Sequence, residues 1–163
     1  MYTGKSAKVD IKLPILPYNE EEHYNDIAEY DKNCFPGDRK EFLKRWLKKS
    51  NALTFVYYDS NKKLKDYASI FKSNVEWDIS PCYCDSKEIA KALIGSLLNK
   101  IPEQSDLEFY VTTKNQAAID LFNEISPVYK MEYHKEEFAI MYNGTPKDID
   151  TQKCFCLVSP AVG

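Results

Sequence analysis

The chain has 163 residues and a formal net charge of −3, because 25 Asp and Glu residues outnumber 22 Lys and Arg residues. This length suits one compact domain, and a hydrophobic content of 44% is enough for a core without metal or disulfide support. The acidic balance argues against a nucleic-acid partner, and the lack of a long apolar run argues against a membrane span or a secretory signal, so a cytoplasmic or nuclear protein is expected.

The first third of the chain predicts one strand and two helices. Residues 9–16 (VDIKLPIL) alternate loosely between apolar and polar and predict a strand, which its proline restricts to a sheet edge or a bulge. Apolar residues at helical spacing predict a helix over residues 20–33, which FPGD at 35–38 ends. Asp38 and Glu41 then form a capping-box pattern, which predicts the start of a second helix.

The middle of the chain predicts three strands and a third helix. Runs typical of β-strands lie at Leu53–Tyr58, Tyr67–Phe71 and Val75–Ile79, and the polar SNKK turn between the first two is typical of a hairpin. Residues 86–100 carry apolar side chains at helical spacing and predict a helix, which Pro102 stops.

The last third predicts a strand at Leu107–Thr112 and a fourth helix that starts at a capping-box pattern over residues 113–116. Residues 127–133 and 138–142 predict two closing strands, and CFCLV at 154–158 has the composition of another. The order of elements predicts an α/β domain of three layers. Four helices flank a mostly antiparallel sheet of six to seven strands, which contains one β-α-β crossover.

The five cysteines are an odd number, with two C-x-C pairs (Cys82/Cys84 and Cys154/Cys156) and Cys34 alone. Structural zinc sites prefer gaps of two to four residues, whereas a gap of one is expected of extended chain with alternating faces. Reduced cysteines that act as small buried hydrophobes are the first interpretation, and no metal is expected. A metal site built from both pairs and a redox pairing stay open as alternatives.

The two ends of the chain resemble each other. Residues 1–10 read MYTGKSAKVD and residues 141–150 read MYNGTPKDID, so Met, Tyr, Gly and Asp coincide at an offset of 141 − 1 = 140 residues. That offset is about one domain. Chance would account for this similarity, and so would a tandem arrangement of two similar domains. On the tandem interpretation, residues 1–8 are a linker or the tail of a preceding domain, and residues 9–163 form a single domain.

Two longer motifs carry a resemblance to a known family. They are FPGDRKEFLKRWL at 35–47 and PCYCDSKEIAKALIGSLL at 81–98, followed by MYNG at 141–144. Together with the order of elements, they resemble the GNAT acyltransferase superfamily, and within it the diverged second domain of tandem acetyltransferase-like proteins. The resemblance implies a GNAT-like fold over residues 9–159. It also implies transfer of an acetyl group from acetyl-CoA to an amine on a small molecule or a peptide.

The resemblance also implies where acetyl-CoA lies. The fourth and fifth predicted strands splay apart, the pantetheine pairs with exposed backbone of the fourth strand, and the pyrophosphate rests on the N-terminus of the third helix, where N–H groups attract phosphate. The residues that this arrangement implies for the cofactor are Ile79, Ser80, Cys82, Cys84, Asp85, Ser86, Lys87, Asn115 and Phe122.

This chain departs from the family pattern at two places. The family loop Q/R-x-x-G-x-G/A is replaced by a segment in which Asp85 stands first and Glu88 takes the place of the glycine, and these two carboxylates form a capping-box pattern that repels phosphate. In the family pattern N-x-x-A-x-x-x-Y, Phe122 replaces the tyrosine that protonates the departing thiolate. Tyr83 and Tyr110 lie in neighbouring elements and are the candidate replacements for that acid.

A base is needed because only a deprotonated amine attacks a thioester. In VEWDI at 75–79, Val75, Trp77 and Ile79 are expected on one face of a strand and Glu76 and Asp78 on the other. Acidic side chains on an interior strand are costly unless they face a wet cleft. Glu76 is therefore the candidate base and Asp78 the second choice, although a simply solvated face is an alternative.

Two functions follow from these observations. The first is an acyl-CoA-dependent N-acyltransferase domain that transfers an acetyl group to an unidentified amine. The second is a non-catalytic GNAT-like module that supports a preceding catalytic domain, which the departures at Asp85, Glu88 and Phe122 favour.

Overall fold

Four helices lie on the two faces of one mixed sheet. The computed structural model describes residues 1–35, 38–49, 51–135 and 150–157. The helices are α1 (Glu20–Cys34), α2 (Lys40–Leu47), α3 (Lys87–Leu98) and α4 (Gln116–Tyr129). The strands are β1 (Tyr2–Lys5), β2 (Leu16–Pro17), β3 (Ala52–Tyr58), β4 (Leu64–Lys72), β5 (Trp77–Tyr83), β6 (Asp106–Phe109), β7 (Glu132–Tyr133) and β8 (Cys154–Cys156).

Seven strands follow one another in the order β2-β3-β4-β5-β6-β1-β7, and β8 pairs with β5 outside this path. The β5–β6 pair is parallel and the other pairs are antiparallel. A parallel pair needs a crossover connection, and α3 supplies it. The expected three-layer, mostly antiparallel α/β fold is confirmed, with eight strands among the described residues rather than six to seven.

Each face of the sheet has its own hydrophobic core. On one face, α1 and α2 bury Ile27, Leu43 and Trp46 against Tyr67 of β4 and Tyr83 of β5. On the other face, α3 and α4 bury leucine, isoleucine and phenylalanine side chains against β4, β5 and β6. Helix N-termini are capped by side chains, namely Asn19 for α1, Ser86 for α3 and Asn115 for α4.

The N-terminal residues belong to this sheet. Strand β1 lies between β6 and β7 and pairs with both. Beyond it, Ser6 is buried and its N–H donates to the carbonyl oxygen of Ser105 at 2.9 Å, and Lys8 donates to the carbonyl oxygen of Asn99 at 2.8 Å. Residues 1–8, expected as a linker or tail, are therefore part of this domain in space. Their origin from a preceding domain stays a prediction.

The N-terminal half of the structure corrects two element boundaries. Residues 9–15 form no regular strand, and only Leu16–Pro17 pairs with β3. Residues 9–11 instead cross α3 at Gly95, where a Cβ atom would lie 2.5 Å from the side chain of Ile11. Strand β5 begins at Trp77 and continues to Tyr83, so it lies further along the chain than the expected 75–79.

The last third corrects one prediction of a strand. Residues 127–129 continue α4 rather than starting a strand, because Ile125 and Tyr129 are buried in the core and outweigh the local signal of Pro127. The helix ends at Lys130, whose φ of 47° is left-handed. Within the expected strand at 127–133, only Glu132–Tyr133 forms a β-strand. The expected strand at 138–142 lies outside the described residues.

Candidate functional site

The two central strands separate after a short parallel contact. Trp77 pairs with Leu107 and Asp78 with Glu108, and no further pair joins β5 to β6 among the described residues. From Ile79 onward the two strands diverge. This is the divergence that the sequence analysis expected between the fourth and fifth predicted strands.

The gap between the diverging strands contains the chain's own strand β8. Cys156 pairs with Cys82 of β5 in an antiparallel register. The N–H of Cys84 donates to the carbonyl oxygen of Lys153 at 2.9 Å, and the N–H of Leu157 donates to the carbonyl oxygen of Tyr110 at 2.9 Å, just beyond β6. The backbone of β8 and of its two flanking residues therefore bridges both walls of the gap.

Side-chain contacts at three points hold β8 and its flanking residues in place. The amide nitrogen of Asn115, which also caps α4 through its oxygen, donates to the carbonyl oxygens of Gln152 at 2.8 Å and Cys154 at 3.0 Å. Phe155 is 1% exposed and lies in the core that α3 and α4 cover. Lys153 forms an ion pair with Asp85 at 3.0 Å. Residues expected to contact a cofactor thus contact the C-terminal strand.

The N-terminus of α3 differs from the expected phosphate cradle. Ser86, not Asp85, is the N-cap, and its hydroxyl accepts the N–H of Ile89 at 3.3 Å, so the expected Asp85/Glu88 capping box is wrong. Glu88 is exposed. The ammonium of Lys87 lies 2.9 Å from Glu124 on α4 and is therefore already paired with a carboxylate.

Asp85 lies at the centre of a polar cluster beside this helix end. Its Oδ1 accepts the hydroxyl of Tyr30 at 3.0 Å, and Lys153 approaches the same oxygen. Its N–H donates to Asp66, whose carboxyl is buried. Burial raises the pKa of Asp66 to about 7. Lys65 also pairs with Asp85, at 3.8 Å, so the two ammonium groups at the place where a phosphate would rest are already paired with a carboxylate.

Three carboxyl groups gather where β5 meets β6. Asp78 pairs with Glu108, and Glu76 shares a hydrogen bond with Glu108. Burial, and then the repulsion of Glu108 and Glu76, raises the pKa of Asp78 to about 7, although Lys49 opposes this effect. Its Oδ1 atom is buried and has no hydrogen-bond partner among the described residues. Burial also raises the pKa of Glu76.

These acids only partly follow the expected alternation. Ile79 is buried and Trp77 packs against the core, as expected, but Val75 lies before β5 and is 77% exposed. Glu108 was not among the residues predicted from the sequence, although its position on a strand with acidic residues was a usable signal. Asp78 is the more buried of the two candidate bases.

The two tyrosines that are candidate proton donors, Tyr83 and Tyr110, lie in different surroundings. Tyr83 is fully buried among Phe35 and Tyr67 on the α1–α2 face, and its hydroxyl has no hydrogen-bond partner among the described residues. Burial raises its pKa well above the usual value. Phe122 lies on the opposite face, stacked on Phe109 at 4.7 Å, so Tyr83 does not replace a hydroxyl at that position. Tyr110 is half-buried and contributes its carbonyl oxygen to β8.

Two further residues that were predicted to contact the cofactor, Ile79 and Ser80, lie within β5. The carbonyl oxygen of Ser80 accepts the indole N–H of Trp46 at 3.0 Å, and Ile79 pairs with Ile70 of β4. Their predicted contacts with a cofactor stay predictions. Residues 154–158 were predicted as a strand without a place in the sheet. Their apolar composition indicates a buried strand but not which strands it lies between.

All five cysteines are free and buried, as the first interpretation expected. The sulfur atoms of Cys82 and Cys84 lie 3.6 Å apart, and burial raises the pKa of Cys34 to about 12. Within the described part of the chain, no group of three or more His, Cys, Asp or Glu side chains is arranged to hold a metal ion. No described helix has the length and apolar character that crossing a membrane requires.

A family model described as an acetyltransferase (GNAT) domain matches residues 27–156, which covers most of the chain and ends within β8. The chain belongs to the GNAT acetyltransferase family. The order of its elements and the divergence of β5 from β6 agree with this assignment. A search of the curated proteins by sequence finds no match.

Two solved structures share the fold. The first is a Pyrococcus horikoshii protein assigned as an acetyltransferase, with a TM-score of 0.70 and 13% identity over 99% of this chain and 50% of that one. The second is an aminoglycoside 6′-N-acetyltransferase from Acinetobacter baumannii, with a TM-score of 0.54 and 11% identity over 83% of this chain and 100% of that one. The chain spans half the length of the Pyrococcus protein.

The described conformation does not fit acetyl-CoA in the place that the family resemblance implies. The edge of β5 that would pair with the pantetheine pairs with β8 instead. The polar cluster at the start of α3 presents Asp85 rather than a glycine-rich turn. Because one N–H group donates one good hydrogen bond, the ligand and β8 compete for the same backbone.

Proposed function

We propose that this chain is a GNAT domain that supports an acetyltransferase without carrying acetyl-CoA in its own cleft. The observation that carries the proposal is strand β8, which occupies the gap between β5 and β6. The catalytic partner is a preceding GNAT domain in a longer protein. The replacement of the acid tyrosine by Phe122 supports the same conclusion.

Several contacts hold β8 and its flanking residues in the gap. Each hydrogen bond contributes about 0.5–1.5 kcal/mol, and burial of a phenylalanine such as Phe155 contributes about 1.5–3 kcal/mol. Four hydrogen bonds and this side chain therefore hold β8 with about 4–9 kcal/mol, before the entropy of ordering the strand is subtracted. Acetyl-CoA would have to displace these contacts before it entered the gap, so β8 opposes its binding.

The length of the Pyrococcus horikoshii protein supports a tandem arrangement of two domains. The Pyrococcus horikoshii protein is twice as long as the aligned region, and the two ends of this chain carry similar sequences one domain apart. A supporting domain in such a protein would shape the acceptor site for a small-molecule or peptide amine. A cytoplasmic location stays the expectation from the sequence.

A second function, acetyl transfer by this domain itself, is favoured by Asp78. A carboxyl group with a pKa of about 7 and an unpartnered, buried oxygen has the character of a general base at neutral pH. It lies where β5 and β6 diverge, beside the start of the gap. This function requires that β8 leave the gap before acetyl-CoA enters.

The experiment measures the melting temperature of the 163-residue chain with and without acetyl-CoA at about 1 mM. A supporting role predicts a change below about 1 °C, because a ligand that binds the folded state at 100 times its Kd would add about 2.7 kcal/mol, or roughly 5–10 °C. The matched variant is Phe155→Ala, which weakens β8 and leaves β5 intact. An increase of several degrees in this variant alone favours the second function, and an increase in the unmodified chain contradicts the first.

A further inference from the structure

Three of the five thiols meet beside strand β8. Cys82 of β5 lies directly opposite Cys156 of β8, and Cys84 follows the end of β5. The sulfur atom of Cys84 lies 3.6 Å from that of Cys82, and the thiols of Cys82 and Cys156 form a hydrogen bond. Cys82 therefore has a second thiol on each side. We call these three residues the thiol cluster.

The pair Cys82–Cys156 has the backbone geometry that a disulfide needs. Residues directly opposite each other on antiparallel strands have Cα atoms about 4.5–5.5 Å apart, and a disulfide spans about 4.4–6.8 Å. Residues two positions apart along an extended chain, such as Cys82 and Cys84, have Cα atoms about 6.6 Å apart, at the far end of this range. The backbone therefore favours a bond across the two strands.

The hydrogen bonds of the thiol cluster make its central member the nucleophile. Hydrogen bonds from Cys156 and Cys84 lower the pKa of Cys82, whereas burial raises the pKa of Cys84 and that of Cys156. Because the thiolate rather than the thiol attacks an oxidant, oxidation begins at Cys82.

Strand β8 controls access to the thiol cluster. None of the three side chains is exposed, and the pairing of β8 with β5 covers Cys82. When this three-residue strand leaves the edge of β5, a small oxidant reaches Cys82. When the strand returns, its register places Cys156 opposite the oxidised residue. The reaction therefore begins with the gap open and ends with it closed.

We propose that Cys82 and Cys156 are a dithiol that hydrogen peroxide oxidises to a disulfide, which fastens β8 to β5. In the first step, the sulfur of Cys82 attacks one oxygen of the peroxide and the O–O bond breaks. The hydroxide that leaves takes up the proton that the Cys82 thiol has lost and becomes water, and Cys82 is now a sulfenic acid.

In the second step, the sulfur of Cys156 attacks the sulfur of this sulfenic acid. The S–S bond forms, the S–O bond breaks, and the hydroxide leaves as water with the thiol proton of Cys156. Two thiols and one peroxide thus give one disulfide and two water molecules.

The disulfide makes the closure of the gap covalent, and a thiol reductant reverses it. In the reduced protein, β8 is held by hydrogen bonds and packing alone. The inference goes beyond the proposed function and is independent of it, because it depends on the two thiols and not on whether this domain transfers an acetyl group.

Peptide mapping tests the proposal directly. The folded, reduced 163-residue chain is treated with hydrogen peroxide at pH 7, free thiols are blocked with N-ethylmaleimide, and the tryptic digest is analysed by mass spectrometry. We expect a cross-link between peptides 73–87 and 154–163, with one blocked thiol on each peptide, that dithiothreitol removes. Cys82→Ala and Cys156→Ala should abolish this cross-link. The matched controls Cys84→Ala and Cys154→Ala should retain it.

The melting temperature provides a second measurement. Because the disulfide closes a long loop, the oxidised protein should melt about 5–15 °C above the reduced protein. The increase should persist in Cys84→Ala and be absent in Cys156→Ala. The proposal is wrong if the folded protein forms no cross-link, if oxidation joins Cys82 to Cys84 within one peptide, or if the cross-link forms only in urea.

The variant Phe155→Ala tests whether β8 must leave before oxidation. This variant removes the buried ring that holds β8, so β8 leaves more often, and the free thiol of Cys82 should be lost at least about tenfold faster. An unchanged rate would show that peroxide reaches Cys82 while β8 is in place, and would overturn the opening step.

Discussion

At the scale of single residues, the motif FPGDR has a physical explanation. Arg39 forms two hydrogen bonds with the carboxylate of Asp31, at 2.9 Å and 2.6 Å, and its guanidinium lies 3.7 Å from the centre of the Phe35 ring. Tyr67 donates to the same carboxylate at 2.8 Å. Asp31 is only 1% exposed, so its charge depends on these partners. The motif therefore fixes the corner between α1 and α2 against the sheet.

Replacement of Arg39 by alanine should destabilise the protein strongly. Arg39→Ala leaves a buried carboxylate without its cation, and this costs about 3–5 kcal/mol in the free energy of unfolding, measured by urea denaturation. The exposed Arg45→Ala on the same helix is the control and should change stability by less than about 0.5 kcal/mol. Adding Asp31→Asn to Arg39→Ala should recover part of this loss, because a neutral amide needs no cation. If Arg39→Ala behaves like Arg45→Ala, the pair does not stabilise the corner.

Asp78 should make stability depend on pH. Its pKa of about 7 in the folded state lies above the ordinary value of 3.8, so the folded state holds the proton more tightly. The resulting stabilisation is complete below about pH 4 and is lost as pH rises through 7. Asp78→Asn should therefore stabilise the protein at pH 8 by about 1–4 kcal/mol and have little effect at pH 4.

Chemical denaturation of both proteins at the two pH values checks this prediction. The comparison with the variant removes the contribution of other titrating groups. Equal differences between the two proteins at pH 4 and pH 8 would show that Asp78 keeps an ordinary pKa.

At the scale of elements, β8 determines what the gap between β5 and β6 accepts. A three-residue strand forms little structure by itself, and here its flanking residues supply most of the support. Asn115 has two roles, because its oxygen caps α4 and its nitrogen donates to the carbonyl oxygens on either side of Lys153. The start of α4 and the closure of the gap are thereby linked through one side chain.

A serine at position 115 should separate these two roles. Asn115→Ser keeps an oxygen that caps α4 but removes both hydrogen bonds to β8, so stability should fall by about 1–3 kcal/mol. Hydrogen exchange at Cys156 and Leu157 should accelerate, whereas exchange within α4 should stay as in the unmodified protein. Faster exchange throughout α4, with none in β8, would mean that Asn115 acts on the helix alone.

At the scale of the whole molecule, local signals in the sequence predicted the fold better than the site. In amphipathic helices and hairpin strands, apolar side chains recur every few residues. The periodicity of these side chains therefore predicts α1, α3 and the β3–β4 hairpin. The contacts of β8 join residues about 40 to 70 positions apart, and no local pattern encodes them. The extension of α4 through Pro127 likewise depends on the core beneath it.

Five residues that the sequence predicted at a ligand site contact or adjoin residues 152–157 instead: Cys82, Cys84, Asp85, Tyr110 and Asn115. These five positions coincide with the contacts of residues 152–157 because the backbone and side-chain groups that suit a pantetheine also suit a peptide strand. What the sequence left open was which of the two they hold, since both are recognised through unpaired main-chain groups.

The pairing of β1 with two neighbours has a mechanical consequence. A pull on the first residues of the chain would load hydrogen bonds to β6 and β7 together, and would also drag Tyr2 against Phe109 and Phe122, which border the strand that faces the gap. In a longer protein, a displacement of whatever precedes Met1 would thus be transmitted as tension to the wall beside β8. Such a displacement would reach β6, the strand that borders the gap, through its direct pairing with β1.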